Sequence, residues 1–129
     1  MHGIPEIERG GSMTLGEKQR RFAFAISELI QYAYMRGYEL TLGDGYRDPR
    51  LHGKFGEKKS YAAAYSVHKL RLAQDLNLFI QGEFITDGNH EAWRDLGEQW
   101  ESYDELARWG GRFKSVDSNH FSFEHQGKM

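Results

Sequence analysis

The sequence has no cysteine and only two prolines among its 129 residues. Without cysteine, disulfides, thiol catalysis and thiolate metal sites are all excluded, so any bound metal must be held by histidine and carboxylate groups. No apolar run approaches the roughly 18 residues that a membrane span requires. The first dozen residues lack a basic start and an apolar core. They are therefore not expected to be a secretory signal, and we expect synthesis in the cytoplasm.

An excess of charge of either sign is also missing. Seventeen basic and 19 acidic residues give a formal net charge of −2, which argues against nucleic acid as a partner, since nucleic-acid-binding domains are usually strongly basic. The length predicts one domain and favours a monomer. Residues 14–129 are assigned to that domain. Residues 1–13 are interpreted as an irregular N-terminal arm or a non-native remnant.

The hydrophobic pattern predicts helices around a small sheet. A capping box at Thr14–Glu17 starts a helix that ends at Gly37. A second helix is predicted from a cap at Asn89 to about Leu106. Alternating residues predict the strands, with a loop containing one short helix between the first two; these strands are Tyr38–Leu42, Leu72–Ile80 with a hairpin back through Glu83–Ile85, and Phe121–Glu124. The predicted fold class is α+β, a small antiparallel sheet flanked by helices.

Two segments carry a possible metal site. The first runs from Ser66 to Asp75 and contains His68, and the second runs from Asp117 to His120. Two imidazoles and one carboxylate suit zinc, and three protein ligands leave the fourth tetrahedral position open for water. Residues of equal parity share one face of a strand, so Asp75 and His120 both fall on polar faces opposite leucine or phenylalanine. This parity does not by itself bring them together.

These segments resemble a known family. S-x-H-x-x-G-x-A-x-D followed by D/E-x-x-H is the signature of the M15 zinc peptidases, and Ser66, His68, Ala73 and Asp75 match the first element. Gly45-Tyr46-Arg47 is similar to the family's G-Y-R segment. Trp109-Gly110-Gly111 is similar to the W-G-G stretch of the phage-type members. The likeness covers roughly residues 14–124.

The resemblance implies a Hedgehog/DD-peptidase-like fold, a Zn²⁺ cofactor and peptidoglycan stem peptides as substrate. It implies His68, Asp75 and His120 as metal ligands and Asp117 as the general base. Arg47 would stabilise the oxyanion, and Ser66 would bind substrate. The expected activity is an L-alanyl-D-glutamate or similar endopeptidase of a phage or prophage endolysin, which acts at the cell wall after release at lysis.

Two other functions stay open. One is a D-Ala-D-Ala carboxypeptidase, which would need an extra cation for the free carboxylate, with Lys69 or Arg71 as candidates. The other is a non-catalytic, zinc-bearing module that binds the cell wall. The sequence also departs from the family at three positions: Arg71 replaces the glycine of S-x-H-x-x-G, His52 replaces a common glutamine, and Arg112 replaces the acidic residue after W-G-G.

Overall fold

The computed structural model describes residues 13–129, so nearly all of the predicted arm lies outside the described residues. The described chain contains three α-helices, five strands and two short 3₁₀ helices. The helices are α1 (Leu15–Met35), α2 (Pro49–His52) and α3 (Glu91–Glu101), and the 3₁₀ helices are Val67–Leu70 and Gly110–Arg112. The strands are β1 (Tyr38–Leu42), β2 (Ala73–Ile80), β3 (Glu83–Phe84), β4 (Ala107–Trp109) and β5 (His120–Phe123). The α+β class is confirmed.

The strands form one antiparallel sheet in the order β1-β2-β5-β4, with β3 paired to β2 as a hairpin. Strand β2 is long enough to pair with β1 through its second half and with β5 through its first. The order therefore brings β5, near the end of the chain, beside the start of β2. That pairing joins the two segments that the sequence singled out.

Helix α1 begins as its capping box predicts. Glu17 N donates to the Thr14 hydroxyl at 3.1 Å, and Thr14 N donates to the Glu17 carboxylate at 3.0 Å, so two otherwise orphan amides are satisfied. Gly37 follows the helix with φ of 86°, a left-handed conformation that glycine adopts without a Cβ penalty. The chain can therefore turn directly into β1.

The core lies between the helices and the inner face of the sheet. Leu72, Leu76 and Leu78 from the β2 segment and Phe121 and Phe123 from β5 are all fully buried. Trp100 of α3 packs on both phenylalanines, with ring centroids 6.1 and 5.6 Å apart. Leucine and phenylalanine thus occupy the core face of each strand, which leaves the other face of the Asp75–His120 pair for polar side chains.

The end of α3 differs from its prediction. The helix is capped by His90, whose Nδ1 accepts from Ala92 N at 3.0 Å, and it ends at Glu101. The predicted cap at Asn89 and the extension to Leu106 are wrong. Ser102–Leu106 forms a turn, and the chain then enters β4, which alternation did not reveal because only three residues are paired. No helix of residues 13–129 is long and apolar enough to cross a membrane.

Candidate metal centre and active-site cleft

Asp75 and His120 meet because the sheet register places them opposite each other. Asp75 pairs with His120 at the end of the antiparallel β2–β5 ladder, and directly opposed residues hold their side chains close on one face. His120 Nδ1 lies 3.3 Å from Asp75 Oδ1. The polar faces that parity assigned to these two residues are therefore the same face of the sheet.

His68 reaches the same carboxylate from a 3₁₀ helix just before β2. Ser66 caps that helix by accepting from His68 N at 3.3 Å. His68 Nδ1 lies 2.7 Å from the carbonyl oxygen of Gly45. This bond directs the other ring nitrogen, Nε2, to Asp75 Oδ1 at 3.3 Å.

Two of the facing atoms of this group make no hydrogen bond that would explain their burial. His68 Nε2 and Asp75 Oδ1 are both buried and unpaired, and such groups normally cost free energy unless a ligand satisfies them. The candidate ligand atoms of His68, Asp75 and His120 lie within 4.8 Å of one another. The three residues therefore fit a bound metal ion.

Each histidine also has an orienting partner on its far side. His68 uses Nδ1 on Gly45, and His120 uses Nε2 on the main-chain oxygen of Met129 at 2.7 Å. Such bonds fix the ring orientation and leave the opposite nitrogen free as a ligand, as in most metal-binding histidines. No motif pointed to Met129. Gly45 was visible only as part of the G-Y-R segment.

The electrostatics of Asp75 favour an ionised ligand. Burial alone would raise its pKa, but the contacts with His120 and His68 outweigh that and lower the pKa of Asp75 to about 2. The carboxylate is therefore negative at neutral pH. Two imidazoles and one carboxylate are donor groups that a divalent cation can bind.

Hydrogen bonds from the W-G-G segment hold the Asp117–His120 turn in place. Gly110 accepts from Asp117 N at 2.9 Å, and Trp109 Nε1 donates to the Ser118 oxygen at 2.8 Å. A Cβ on Gly110 would lie 2.0 Å from the Asp117 oxygen, so only glycine permits this close approach. The motif thus positions the turn that supplies both His120 and Asp117.

A cleft of about 230 Å³ lies beside His68, Asp75 and His120, which we call the metal group. The cleft also contains the other predicted site residues. Its walls include Arg47, Ser66, Asp117, Phe113 and Tyr65 together with the two histidines. Sequence reasoning matched Phe113 to the family stretch that follows W-G-G but gave it no role in the site, and it missed Tyr65. Asp117 Oδ2 lies 4.0 Å from His120 Nδ1, and the Asp117 side chain is 52% exposed. It can therefore reach both water and the metal group.

Arg47 and Ser66 are coupled to each other. Arg47 Nη1 donates to the Ser66 hydroxyl at 3.0 Å, and Nη2 donates to Asp44 at 3.3 Å. Arg47 Nε is buried without a partner, and Nη1 and Nη2 each keep a second hydrogen beyond these two bonds. Ser66 thus orients Arg47 and caps the helix that carries His68.

Comparisons with known proteins identify the family of the chain. A family profile described as "D-alanyl-D-alanine carboxypeptidase", one of the M15 peptidase profiles, matches residues 60–123, about half of the chain. The matched range includes both elements of the metal group. The chain belongs to the M15 peptidase family.

A solved structure supports the fold of this M15 peptidase over most of its length. The L-Ala D-Glu endopeptidase ChiX of Serratia marcescens superposes with a TM-score of 0.58, covering 84% of this chain and 85% of that one at 16% sequence identity. No curated protein sequence matches the chain significantly. The structural likeness therefore reaches well beyond the residues that the family profile matches.

Two departures from the M15 pattern fall in the loop between β1 and β2. Arg71 has φ of 57°, which explains why the family uses glycine there; its guanidinium lies 3.9 Å from the ring centroid of Tyr46. His52 is buried, and its Nδ1 lies 2.5 Å from the Ser60 hydroxyl. Each substituted side chain has its own contact within the loop.

The third departure, Arg112, joins the W-G-G segment to α3. It donates from Nε and Nη2 to the Glu101 carboxylate, both at 3.0 Å, and its guanidinium lies over the Trp109 ring. Its pKa is raised by those bonds to Glu101. Arg112 therefore stabilises the position of Trp109, which supports the Asp117–His120 turn. Arg112 does not line the cleft.

Lys69 has a structural position. It is 3% exposed, and its Nζ donates to the carbonyl oxygens of Lys54, Glu57 and Ala64. Burial lowers the pKa of this amine because the charged form loses solvation. The three bonds fold the loop Gly53–Ala64 against the 3₁₀ helix of His68. Lys69 is therefore occupied inside the loop and does not line the cleft.

Proposed function

We propose that this M15 peptidase is a zinc-dependent hydrolase of an amide bond in the peptidoglycan stem peptide, with L-alanyl-D-glutamate as the first candidate bond. The observation that carries the proposal is the group of His68, Asp75 and His120, with two buried unpaired atoms facing each other beside Arg47 and Asp117. The matching family, described as D-alanyl-D-alanine carboxypeptidase, and the similar structure, an L-Ala D-Glu endopeptidase, indicate the substrate class.

Two of the three distances between the candidate ligand atoms support zinc as the metal. Ligands about 2.0–2.1 Å from a tetrahedral zinc ion lie about 3.3 Å from one another. Asp75 Oδ1 is 3.3 Å from both His68 Nε2 and His120 Nδ1. Zinc bound here would supply Lewis acidity and lower the pKa of a water molecule to about 7.

The chain's own residues would carry the remaining chemistry. Asp117, exposed at the cleft and tethered three residues before His120, would accept the proton of the attacking water and return it to the leaving nitrogen. Arg47 would bind the oxygen of the scissile carbonyl through the Nη hydrogens that Ser66 and Asp44 do not use. Ser66 would hold Arg47 in that orientation and could also donate its hydroxyl proton to substrate.

The carboxypeptidase alternative receives less support from the cleft. An exopeptidase needs a cation for the free terminal carboxylate, and the candidates were Lys69 and Arg71. Lys69 is buried on three loop carbonyls, and Arg71 lies over Tyr46. Neither lines the described cleft. This favours an endopeptidase. An endopeptidase also fits the role of a phage or prophage endolysin that acts at the cell wall after its release at lysis.

Digestion of purified Gram-negative peptidoglycan, with and without a chelator, tests the proposal. New N-terminal D-glutamate found by mass spectrometry, lost with the chelator and restored by Zn²⁺, is the expected result. Released D-alanine would instead identify the carboxypeptidase. No product at any zinc concentration would favour the non-catalytic cell-wall binding module.

A further inference from the structure

A second cavity of about 280 Å³ lies beside the metal group and takes no part in the chemistry above. Its walls come from the β2–β3 hairpin, the start of α3 and the Asp117–His120 turn. We call it the hairpin cavity; its lining includes Asn77, Phe84, Thr86, Trp93, Ser118 and Asn119. Phe84 and Thr86 are exposed, so the cavity opens at the surface near the hairpin.

The hairpin cavity begins where β2 and β5 separate. The β2–β5 ladder ends at Asp75 and His120, and one further bond joins Leu76 N to the Asn119 oxygen at 2.9 Å. Asn77 is the next residue of β2 on the same face as Asp75. Two residues of a strand span about 7 Å, so the cavity is about one residue or one sugar ring away from the metal group.

One turn serves both cavities. Its outer residues, Asp117 and His120, line the active-site cleft, whereas the inner residues, Ser118 and Asn119, line the hairpin cavity. The Ser118 hydroxyl donates to the Gly88 oxygen at 2.6 Å and so ties the turn to the loop before α3. A group bound in the hairpin cavity would therefore touch the segment that carries the proposed base and a metal ligand.

The two cavities differ in charge. The cleft contains Arg47, Asp117 and the histidines, whereas none of the described residues lining the hairpin cavity is charged. The hairpin cavity is lined by two carboxamides, two hydroxyls, the aromatic rings of Trp93 and Phe84 and the aliphatic side chains of Leu76 and Ile85. The Asn77 amide donates to Thr41 and the Ser118 hydroxyl to Gly88, so these two groups would act on a ligand as acceptors. A charged group would lose its hydration there without an ionic partner. The lining suits an uncharged group that has amide or hydroxyl atoms and one apolar face.

We propose that the hairpin cavity is a subsite for an uncharged, amide-bearing part of the substrate; this rests on the proposed peptidase function. Complete ligand pockets commonly measure about 300–1,000 Å³, so this volume suits one ring or one residue. Two parts of peptidoglycan have the required chemistry, an N-acetylated amino sugar of the glycan and a neutral alanine residue of the stem. The same subsite chemistry would recognise either.

Direct binding tests the subsite independently of catalysis. The zinc-loaded protein is titrated with N-acetylglucosamine and, separately, with N-acetyl-D-alanine amide, while amide NMR signals of Thr86, Ser118 and Asn119 are followed. We expect saturable shifts with one of the two probes. Thr86→Trp, which fills the mouth, should abolish them. Ser115→Trp is the matched control, since Ser115 is exposed and lines neither cavity.

Kinetics then identify the source of the bound group. If it is the sugar, Thr86→Trp should raise KM about tenfold for a disaccharide-linked stem peptide and less than twofold for the free peptide. If it is alanine, the tenfold effect should separate peptides with and without an alanine whose carboxyl group is in amide linkage. Ser115→Trp should change neither value, and all three proteins should hold equal zinc.

Two results would overturn the subsite. One is the absence of saturable shifts with both probes, and the other is normal KM for every substrate in Thr86→Trp. A wild-type protein that hydrolyses nothing yet shows the shifts would refute the proposed peptidase function and leave the binding site standing.

Discussion

The two sides of the metal group are held by different kinds of structure. Asp75 and His120 are fixed by the repeating backbone ladder of β2 and β5. His68 and Arg47 belong to a long connection that is held by single bonds, such as those of Ser66, Gly45 and Lys69. The sheet side has many equivalent supports, whereas each support of the loop side acts alone. Two of the three family departures, Arg71 and His52, fall on the loop side.

The sheet side should show the largest loss when a ligand is removed. His120→Asn leaves the ladder intact but removes one of the three proposed ligand atoms, so bound zinc should fall from about one per chain to under a tenth, with hydrolysis undetectable. Metal analysis after dialysis measures this. His90→Asn is the matched control, since asparagine also caps helices. Full zinc content in His120→Asn would refute the ligand assignment.

Asp117 lies on the same turn but should be separable from metal binding. Asp117→Asn should retain zinc and lower kcat about 10²- to 10⁴-fold, because only the proposed proton acceptor is lost. Single-turnover hydrolysis of a stem peptide provides the rate. Glu105→Gln, at an exposed acid away from the cleft, should leave kcat unchanged. Near-normal turnover in Asp117→Asn would exclude Asp117 as the base.

The support beneath that turn should show its largest effect on stability. Gly110→Ala would force a Cβ against the Asp117 oxygen, and such overpacking costs up to about 3 kcal/mol. Denaturant unfolding gives the change in the free energy of unfolding. Gly16→Ala is the control, because a Cβ there meets only the end of the Arg20 side chain at 3.4 Å. Equal effects in the two variants would contradict the close-approach argument.

On the loop side, Lys69→Met should lower the free energy of unfolding by about 2 kcal/mol, since three loop carbonyls lose a charged donor. Limited proteolysis should then cut within residues 53–64 earlier than in the wild type. Lys58→Met removes one exposed bond to Ser60 and should change stability by less than about 0.5 kcal/mol. An unchanged cleavage pattern would show that Lys69 does not hold the loop.

The smallest effect is expected at Arg71. Arg71→Gly relieves a left-handed conformation but loses the contact with Tyr46, so the free energy of unfolding should change by less than about 1 kcal/mol. Gln81→Gly relieves a similar φ of 52° at an exposed position and should stabilise more. A larger gain in Arg71→Gly than in Gln81→Gly would mean that the Tyr46 contact contributes nothing.

This contrast also separates what sequence could predict from what it could not. Parity placed Asp75 and His120 on polar faces because side chains alternate between the two faces of a strand. The register of β2 and β5 then puts both residues on the same face of the sheet. Helix α1 was visible through Thr14 and Glu17. No period describes residues 43–72, so the partners of His68 and the burial of Lys69 had no signal. Strand β4 was hidden because its three residues are too few to alternate clearly.

Trp109 connects Gly97, which has no reactive group, to the turn that carries the proposed base. Its ring occupies the space where Gly97 of α3 and Gly111 have no side chain; an added Cβ would come within 2.1 and 2.2 Å of it. Its indole nitrogen supports Ser118 within the turn. In an activity-based mutational scan, Gly97 should therefore score like a catalytic position. Positions of this fold that do not tolerate substitution would therefore include the residues that support the site as well as its reactive groups.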